Sequence, residues 1–333
     1  MTFERLLAWW VGLVVVFLGL AGQAEETKST PEKKQSAAKS EAGQGAAAVA
    51  GKKTPEDGEE AGTKFIRLRR DDKQRPLAME TAVVSYIGAS HPGVVVDLIG
   101  AVHVGDKTYY SELNKLFESY DVLLYELVAP EGTRIPKEGR KETNAHPIAA
   151  LQNGMKTILE LEHQLECVDY TKENFVHADM SPAEFAKTMT NRGESFMQIF
   201  LRLMGQGMAQ QAIAQKKGED AASPDMAILM ALFSRDRARQ LKIAMAEQFE
   251  NLEGQMAIFD GPEGSTIITE RNKKAFEVLQ AQLKDGKKKI GVFYGAGHLP
   301  DMEKRLASDF GLKRDKEQWI VAWVLEKAKS AAK

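Results

Sequence analysis

With a single cysteine, Cys167, the chain can form no internal disulfide, so its stability has to come from a buried core. Neither charge sign dominates: 45 basic residues stand against 47 acidic ones, a balance that argues against a nucleic-acid partner. No G-x-S-x-G, H-E-x-x-H, P-loop or dinucleotide-binding glycine pattern occurs, so serine hydrolases, zincins and nucleotide enzymes lose their usual support. Between Glu25 and Thr63 there is no aromatic residue and hardly a large aliphatic one. That stretch of Ala, Gly, Lys, Glu, Ser and Thr lacks the apolar surface needed to fold, and 25–63 reads as a disordered tether.

Ahead of the tether, Arg5 precedes an apolar run from Leu6 to Ala21, and Gly22-Gln23-Ala24 offers small residues for cleavage. Residues 1–24 are expected to be a signal peptide, with an uncleaved anchor as the alternative; the run is a little short for a full membrane span. No cysteine lies near the cleavage point, which disfavours a lipoprotein anchor. The expected location is therefore outside the cytoplasm: periplasmic, in the cell envelope or extracellular, with a membrane tether through the N-terminus. The remaining 64–333, on the order of 270 residues, suffices for one α/β domain carrying an inserted helical part.

What the chain does have is one short phrase written twice. Val94-Val95-Val96-Asp97-Leu98-Ile99 leads into Gly100-Ala101-Val102-His103, and Ile290-Gly291-Val292-Phe293-Tyr294 leads into Gly295-Ala296-Gly297-His298. Each reads as a buried strand ending in a small-residue turn that presents a histidine. A helix (Lys107 to Ser119) and a strand (Asp121 to Val128) follow the first; a helix (Asp301 to Asp309), a Gly311 stop and a strand (Trp319 to Leu325) follow the second. The matched order predicts an α/β fold with a central mixed or mostly parallel sheet, built from two pseudo-repeated strand–GAxH–helix–strand units with right-handed crossovers. Two histidines delivered by the same device predict a site assembled from both ends of the chain.

Met79 to Ile87 and Val94 to Ile99 read as strands joined through a Gly88–Gly93 turn that carries His91. From Pro147 to Leu283 the pattern is mostly helical, and an inserted helical cap is expected over about 146–265. Ser181-Pro182-Ala183-Glu184 is a capping box with proline at the first helical position, and Ser223-Pro224-Asp225 starts another helix in the same way. Between them lies a methionine-rich apolar face from Phe196 to Met208, fit for core or for a pliable binding surface.

Glu126 ends a run that looks buried on both faces, so its carboxylate needs a cation, a metal or an arginine, or an exposed strand end. In a parallel sheet, strands 94–100 and 121–127 end at one edge, where α/β sheets build sites, and His103 and Glu126 become neighbours. Asn272 interrupts the apolar stripe Ile268, Ala275, Leu279 and Leu283 of a helix from Thr266 to Leu283, with Arg271 beside it. Such a pair must find partners. Arg271 could hold Glu126 or a substrate carboxylate bidentately, Asn272 could orient a histidine or bind substrate, and a structural hydrogen-bond network fits equally. Asp97 is a weaker candidate. His177-Ala178-Asp179 reads mainly as a loop ordering the Ser181 helix start, and His146 and His163 as ordinary surface or core histidines.

Four stretches, taken in order, resemble the TraB/GumN/Tiki family: Leu98-Ile-Gly-Ala-Val-His103-Val-Gly105, Leu124-Tyr-Glu126-Leu, Glu270-Arg271-Asn272 and Val292-Phe-Tyr-Gly-Ala-Gly-His298-Leu-Pro300. The match spans Leu77 to Leu325. The resemblance implies a divalent metal (Mn, Co or Zn) at His103, Glu126 and His298, with Arg271 and Asn272 supporting. Tiki proteins are membrane-tethered metalloproteases; the wider clan includes erythromycin-esterase-like and haem-binding ChaN-like proteins. The expectation is an exported metal-dependent hydrolase, peptidase-like, acting on a peptide or small acyl substrate. There the metal would lower the pKa of its water and polarise a carbonyl, with Glu126 as ligand or base and Arg271 or Asn272 at the oxyanion. The alternative is a non-catalytic envelope protein that sequesters a peptide, a metal or haem.

Overall fold

The structure is a computed structural model, and it describes residues 65–130, 132–133, 135, 159–195, 197–198, 205, 230–231, 233–249 and 263–327. The signal peptide, the tether, His146, the Ser223-Pro224-Asp225 start and most of the methionine-rich face lie outside the described residues. Met197, from that face, is solvent-exposed.

The fold is α/β, organised on a mixed sheet of 7 strands. The strands are β1 (Ile66–Arg70), β2 (Pro76–Ile87), β3 (Val95–Ala101), β5 (Val122–Tyr125), β7 (Phe175–His177), β8 (Lys289–Gly295) and β9 (Lys313–Val324). β4 (Val104–Gly105) and β6 (Glu162–His163) form a separate two-stranded ladder. Four strands run parallel in the order β3-β8-β5-β7. β2 lies antiparallel beside β3 and shares that edge with β1, while its other edge pairs with β9.

The two histidine-bearing strands are immediate neighbours, β3 against β8, with Gly100 opposite Tyr294 and Ala101 opposite Gly295. From there the chain leaves in opposite directions. After β3 it passes through α1 (Lys107–Phe117) to β5, on the far side of β8. After β8 it passes through α6 (Leu299–Phe310) to β9, beyond β3 and β2. The two helices cover opposite faces. Phe117 of α1 packs on Phe293 at 4.8 Å between ring centroids, on the face shared with Gly291 and Asp97. Glu303 of α6 accepts a 2.8 Å hydrogen bond from Tyr86, which pairs with Val96 on the other face. Neighbouring parallel strands whose connections diverge open a crevice at their C-terminal ends, the point where open α/β sheets bind ligands.

Local chemistry accounts for most of these elements. Ser181 and Glu184 form the reciprocal capping box that starts α3 (Pro182–Asn191), with bonds of 3.2 and 2.8 Å. Gly311 closes α6 at φ 65°, a left-handed conformation that glycine adopts without strain.

Two elements depart from the sequence pattern. The block read as a helical cap contains α2 (Gln164–Cys167), α3 and α4 (Arg237–Phe249), but it also supplies β6 and a sheet strand, β7. Three residues are too few to show an alternation, and Phe175-Val176-His177 is recruited by pairing with β5. β9 begins at Lys313 rather than Trp319; its first half, Lys313–Gln318, is exposed and charged, so its strand character comes from the β2 ladder alone. Among the described residues no helix is long and apolar enough to cross a membrane.

Candidate functional site

Every proposed site residue stands at the C-terminal end of the parallel strands or on the helix above it. His103 follows β3, Glu126 follows β5 and His298 ends the 3-10 turn (Ala296–His298) after β8. Arg271 and Asn272 begin α5 (Arg271–Lys284), whose preceding turn, Thr266–Glu270, is a π-helix. Ser265 caps that turn through a 3.1 Å bond from the Ile268 N–H, and the Glu194 carboxylate accepts from the Thr266 N–H at 3.0 Å. Wide turns of this kind re-aim side chains and recur at functional sites.

The turn bearing His103 is held rigidly. Tyr109 and Tyr110 of α1 donate their hydroxyls to the carbonyls of Gly100 and Val102, at 2.9 and 3.0 Å. The Gln164 N–H donates to the His103 carbonyl at 2.9 Å, next to the β4–β6 ladder.

At the centre is the Arg271 guanidinium, buried to 3 % exposure. Its Nε and Nη2 grip Asp179 at 2.9 and 2.5 Å, and Nη2 also donates to Glu126 Oε1 at 2.7 Å. Glu126 Oε2 accepts from the Gly295 N–H at 2.7 Å. A Cβ at position 295 would stand 3.2 Å from that same oxygen, so glycine lets the carboxylate approach the backbone without crowding. Burial by itself would raise the Glu126 carboxyl; Arg271, the two histidines and the Gly295 N–H outweigh it and hold the group well below the usual carboxylate range.

Asn272 fixes His298. Both of its amide hydrogens are spent, on the His298 carbonyl at 3.0 Å and on Asp301 Oδ2 at 2.8 Å. Its Oδ1, 2.7 Å from His298 Nδ1, must therefore accept, and the proton sits on Nδ1. His298 Nε2 then carries a lone pair, which faces Arg271 Nη1 at 3.4 Å and Glu126 Oε1 at 3.6 Å. Burial pushes the His298 pKa down to about 4, with Glu126 opposing and Arg271 reinforcing the shift. His103 is lowered as well, chiefly by burial, with Glu126 raising it, Arg271 lowering it and the Gln164 side chain raising it. Both imidazoles are neutral near pH 7.

The structure thus brings His103, Glu126, Arg271, Asn272 and His298 into one site. It adds Asp179, whose His-Ala-Asp context reads as a helix-start loop; the available signal was a carboxylate immediately after a strand in the parallel set. The reading that Arg271 could take a substrate carboxylate in its fork is corrected: that fork is filled by Asp179. Asp97 lies in mid-strand on the α1 face, bonded to the Tyr120 hydroxyl at 2.7 Å, and takes no part. His163 lies in β6.

Where the resemblance implies a divalent metal, this arrangement holds a guanidinium. The cation between Glu126 and His298 is the guanidinium of Arg271, and both Glu126 oxygens are already engaged. Among the described residues no group of three or more His, Cys, Asp or Glu is placed to hold a metal ion. Compared with family models, curated proteins and solved structures, the chain matches none.

Proposed function

We propose that this chain is an exported hydrolase of peptide or related acyl bonds, working at the C-terminal ends of β3, β5 and β8. The observation that carries the reading is His298: a buried neutral imidazole, locked as the Nδ1–H tautomer by Asn272, with Nε2 open towards a carboxylate and a guanidinium. Nε2 accepts a proton from water as it attacks a carbonyl, Asn272 Oδ1 and Glu126 stabilise the imidazolium that forms, and the imidazolium returns the proton to the leaving amine or alcohol as its bond to the carbonyl carbon breaks. Arg271 Nη1 faces the same space and donates to the oxyanion, a role worth about 10²–10³ in rate for one donor. His103, half-buried after β3, orients water or substrate. Export rests on the charged-then-apolar start of the chain and its polar tether. Fractionation with N-terminal sequencing tests it, and a soluble cytoplasmic product beginning at Met1 refutes it.

A second reading keeps the metal implied by the TraB/GumN/Tiki resemblance. The observation that favours it is the His298 tautomer, because a ring held through Nδ1 and open at Nε2 is how a metal-ligating histidine is set. Turnover of a peptide library by chelator-treated protein separates the two. Activity that survives chelation and is lost in His298→Ala supports the guanidinium site. Activity restored only by Mn, Co or Zn supports the metal. Absence of turnover under both conditions favours the binding-protein alternative.

A further inference from the structure

The site holds two carboxylates and one guanidinium. Asp179 and Glu126 share Arg271, and His298 is uncharged, its one ring proton on Nδ1 against Asn272 Oδ1 and its Nε2 facing the guanidinium. The nearby Asp301 is balanced by Arg305 at 2.7 Å. Among the described residues one negative charge is left over, and Glu126 is the member of the pair that keeps access to solvent, with 11 % of its side chain exposed against none for Asp179.

A second observation points the same way. Gln164 is 6 % exposed; its Nε2 donates to the Tyr170 hydroxyl at 2.8 Å, while its buried Oε1 makes no hydrogen bond of good geometry and lies beside the His103 ring. Gln164 adjoins His103 through the 2.9 Å backbone bond, and Tyr170 lies close enough to Glu126 to feel its charge. A buried acceptor left unpaired costs free energy until a donor arrives. Surplus negative charge and an orphaned acceptor on one wall both call for a cationic hydrogen-bond donor.

We propose that the site takes its substrate through a protonated amine, seated on Glu126 and the Gln164 side-chain carbonyl on the His103 side. A compact ammonium with three donors matches two acceptors of this kind, whereas a carboxylate finds no free cation among the described residues there. The proposal deepens the hydrolase reading and rests on it for the term substrate; the binding preference itself stands apart from turnover.

The test is calorimetric binding to the full-length protein of three probes: tri-alanine amide, N-acetyl-tri-alanine amide and N-acetyl-tri-alanine with a free carboxylate. The free ammonium is expected to bind at least about tenfold more tightly than either acetylated form, the effect of one charge-assisted hydrogen bond. Gln164→Met should shrink the preference and Gln164→Glu should enlarge it, so the pair remains informative if one variant folds poorly. Equal binding of the three probes, no binding of the ammonium form, or displacement of that form by Mn²⁺ alone overturns the proposal. Cleavage products are read by chromatography in the same samples. Preference without cleavage sinks the hydrolase reading only, and cleavage without preference sinks this inference only.

Discussion

Replacing Asn272 by leucine sets two physical accounts of α5 against each other. On the helix stripe alone, leucine would continue the apolar series of Ile268, Ala275 and Leu279, all buried, and stability should hold or rise. The site geometry predicts the reverse. Asn272 is fully buried and makes three bonds: to the His298 carbonyl (3.0 Å), to Asp301 Oδ2 (2.8 Å) and from His298 Nδ1 (2.7 Å). Asp301 keeps Arg305, but the His298 Nδ1–H and carbonyl are stranded in a site that is 6 % exposed. Each orphan costs about 1–3 kcal/mol, so the substitution should remove roughly 2–6 kcal/mol. For a domain of this size that lowers the melting temperature by about 5–15 °C. Activity should fall further than stability explains, because the ring is free to change tautomer. Asn272→Asp keeps the acceptor and should preserve the Nδ1–H form, which ¹⁵N chemical shifts of the His298 ring report directly. A leucine variant as stable as the parent, with an unchanged His298 tautomer, refutes the reasoning.

Arg271→Met should cost about 3–5 kcal/mol, because it leaves Asp179 and Glu126 buried without their cation; Arg271→Lys should recover only part, since an ammonium does not reproduce the fork, and denaturant melts of the two variants measure both. Stability should fall as the pH drops from 6.5 towards 4. His298, depressed to about 4 in the fold, takes up its proton first in the unfolded chain, so the window gives a slope of up to about 1.4 kcal/mol per pH unit. His103, also depressed by burial, adds to the same window, so a reduced slope in His298→Asn is the check, and an identical slope in the variant rejects the assignment. Below that window Glu126, whose folded pKa is depressed, adds its own loss as the pH falls beneath the ordinary carboxylate range. Gly295→Ala should reduce turnover with little change in melting temperature, because its Cβ would press on Glu126 Oε2 from 3.2 Å; full activity in that variant argues against Glu126 as a working group.

The G-A-x-H device shows how far a sequence pattern reaches. An apolar run followed by small residues and a histidine specifies a buried strand and a tight exit, and this happened at both ends of the domain, at β3 and β8. Local rules also determined the Ser181 capping box and the Gly311 stop, since each depends on residues within one turn of helix. That Glu126 needed a cation and that Asn272 and Arg271 needed partners was legible too, because burial of polar groups leaves no choice about satisfaction.

Tertiary structure alone decided who those partners are. Glu126 could have met a metal or an arginine; the choice fell to Arg271, 145 residues away, because α5 lies over the ends of β5 and β8. Asp179 enters for the same reason: β7 is a three-residue strand whose pairing with β5 carries the following carboxylate to the guanidinium. The strand order that sets β3, which leads to His103, beside β8, which leads to His298, and the diverging connections that open the crevice there, arise from pairings between segments almost two hundred positions apart. A sequence fixes what each segment must bury or satisfy, since those demands are local; which distant segment meets the demand depends on how the whole sheet is ordered.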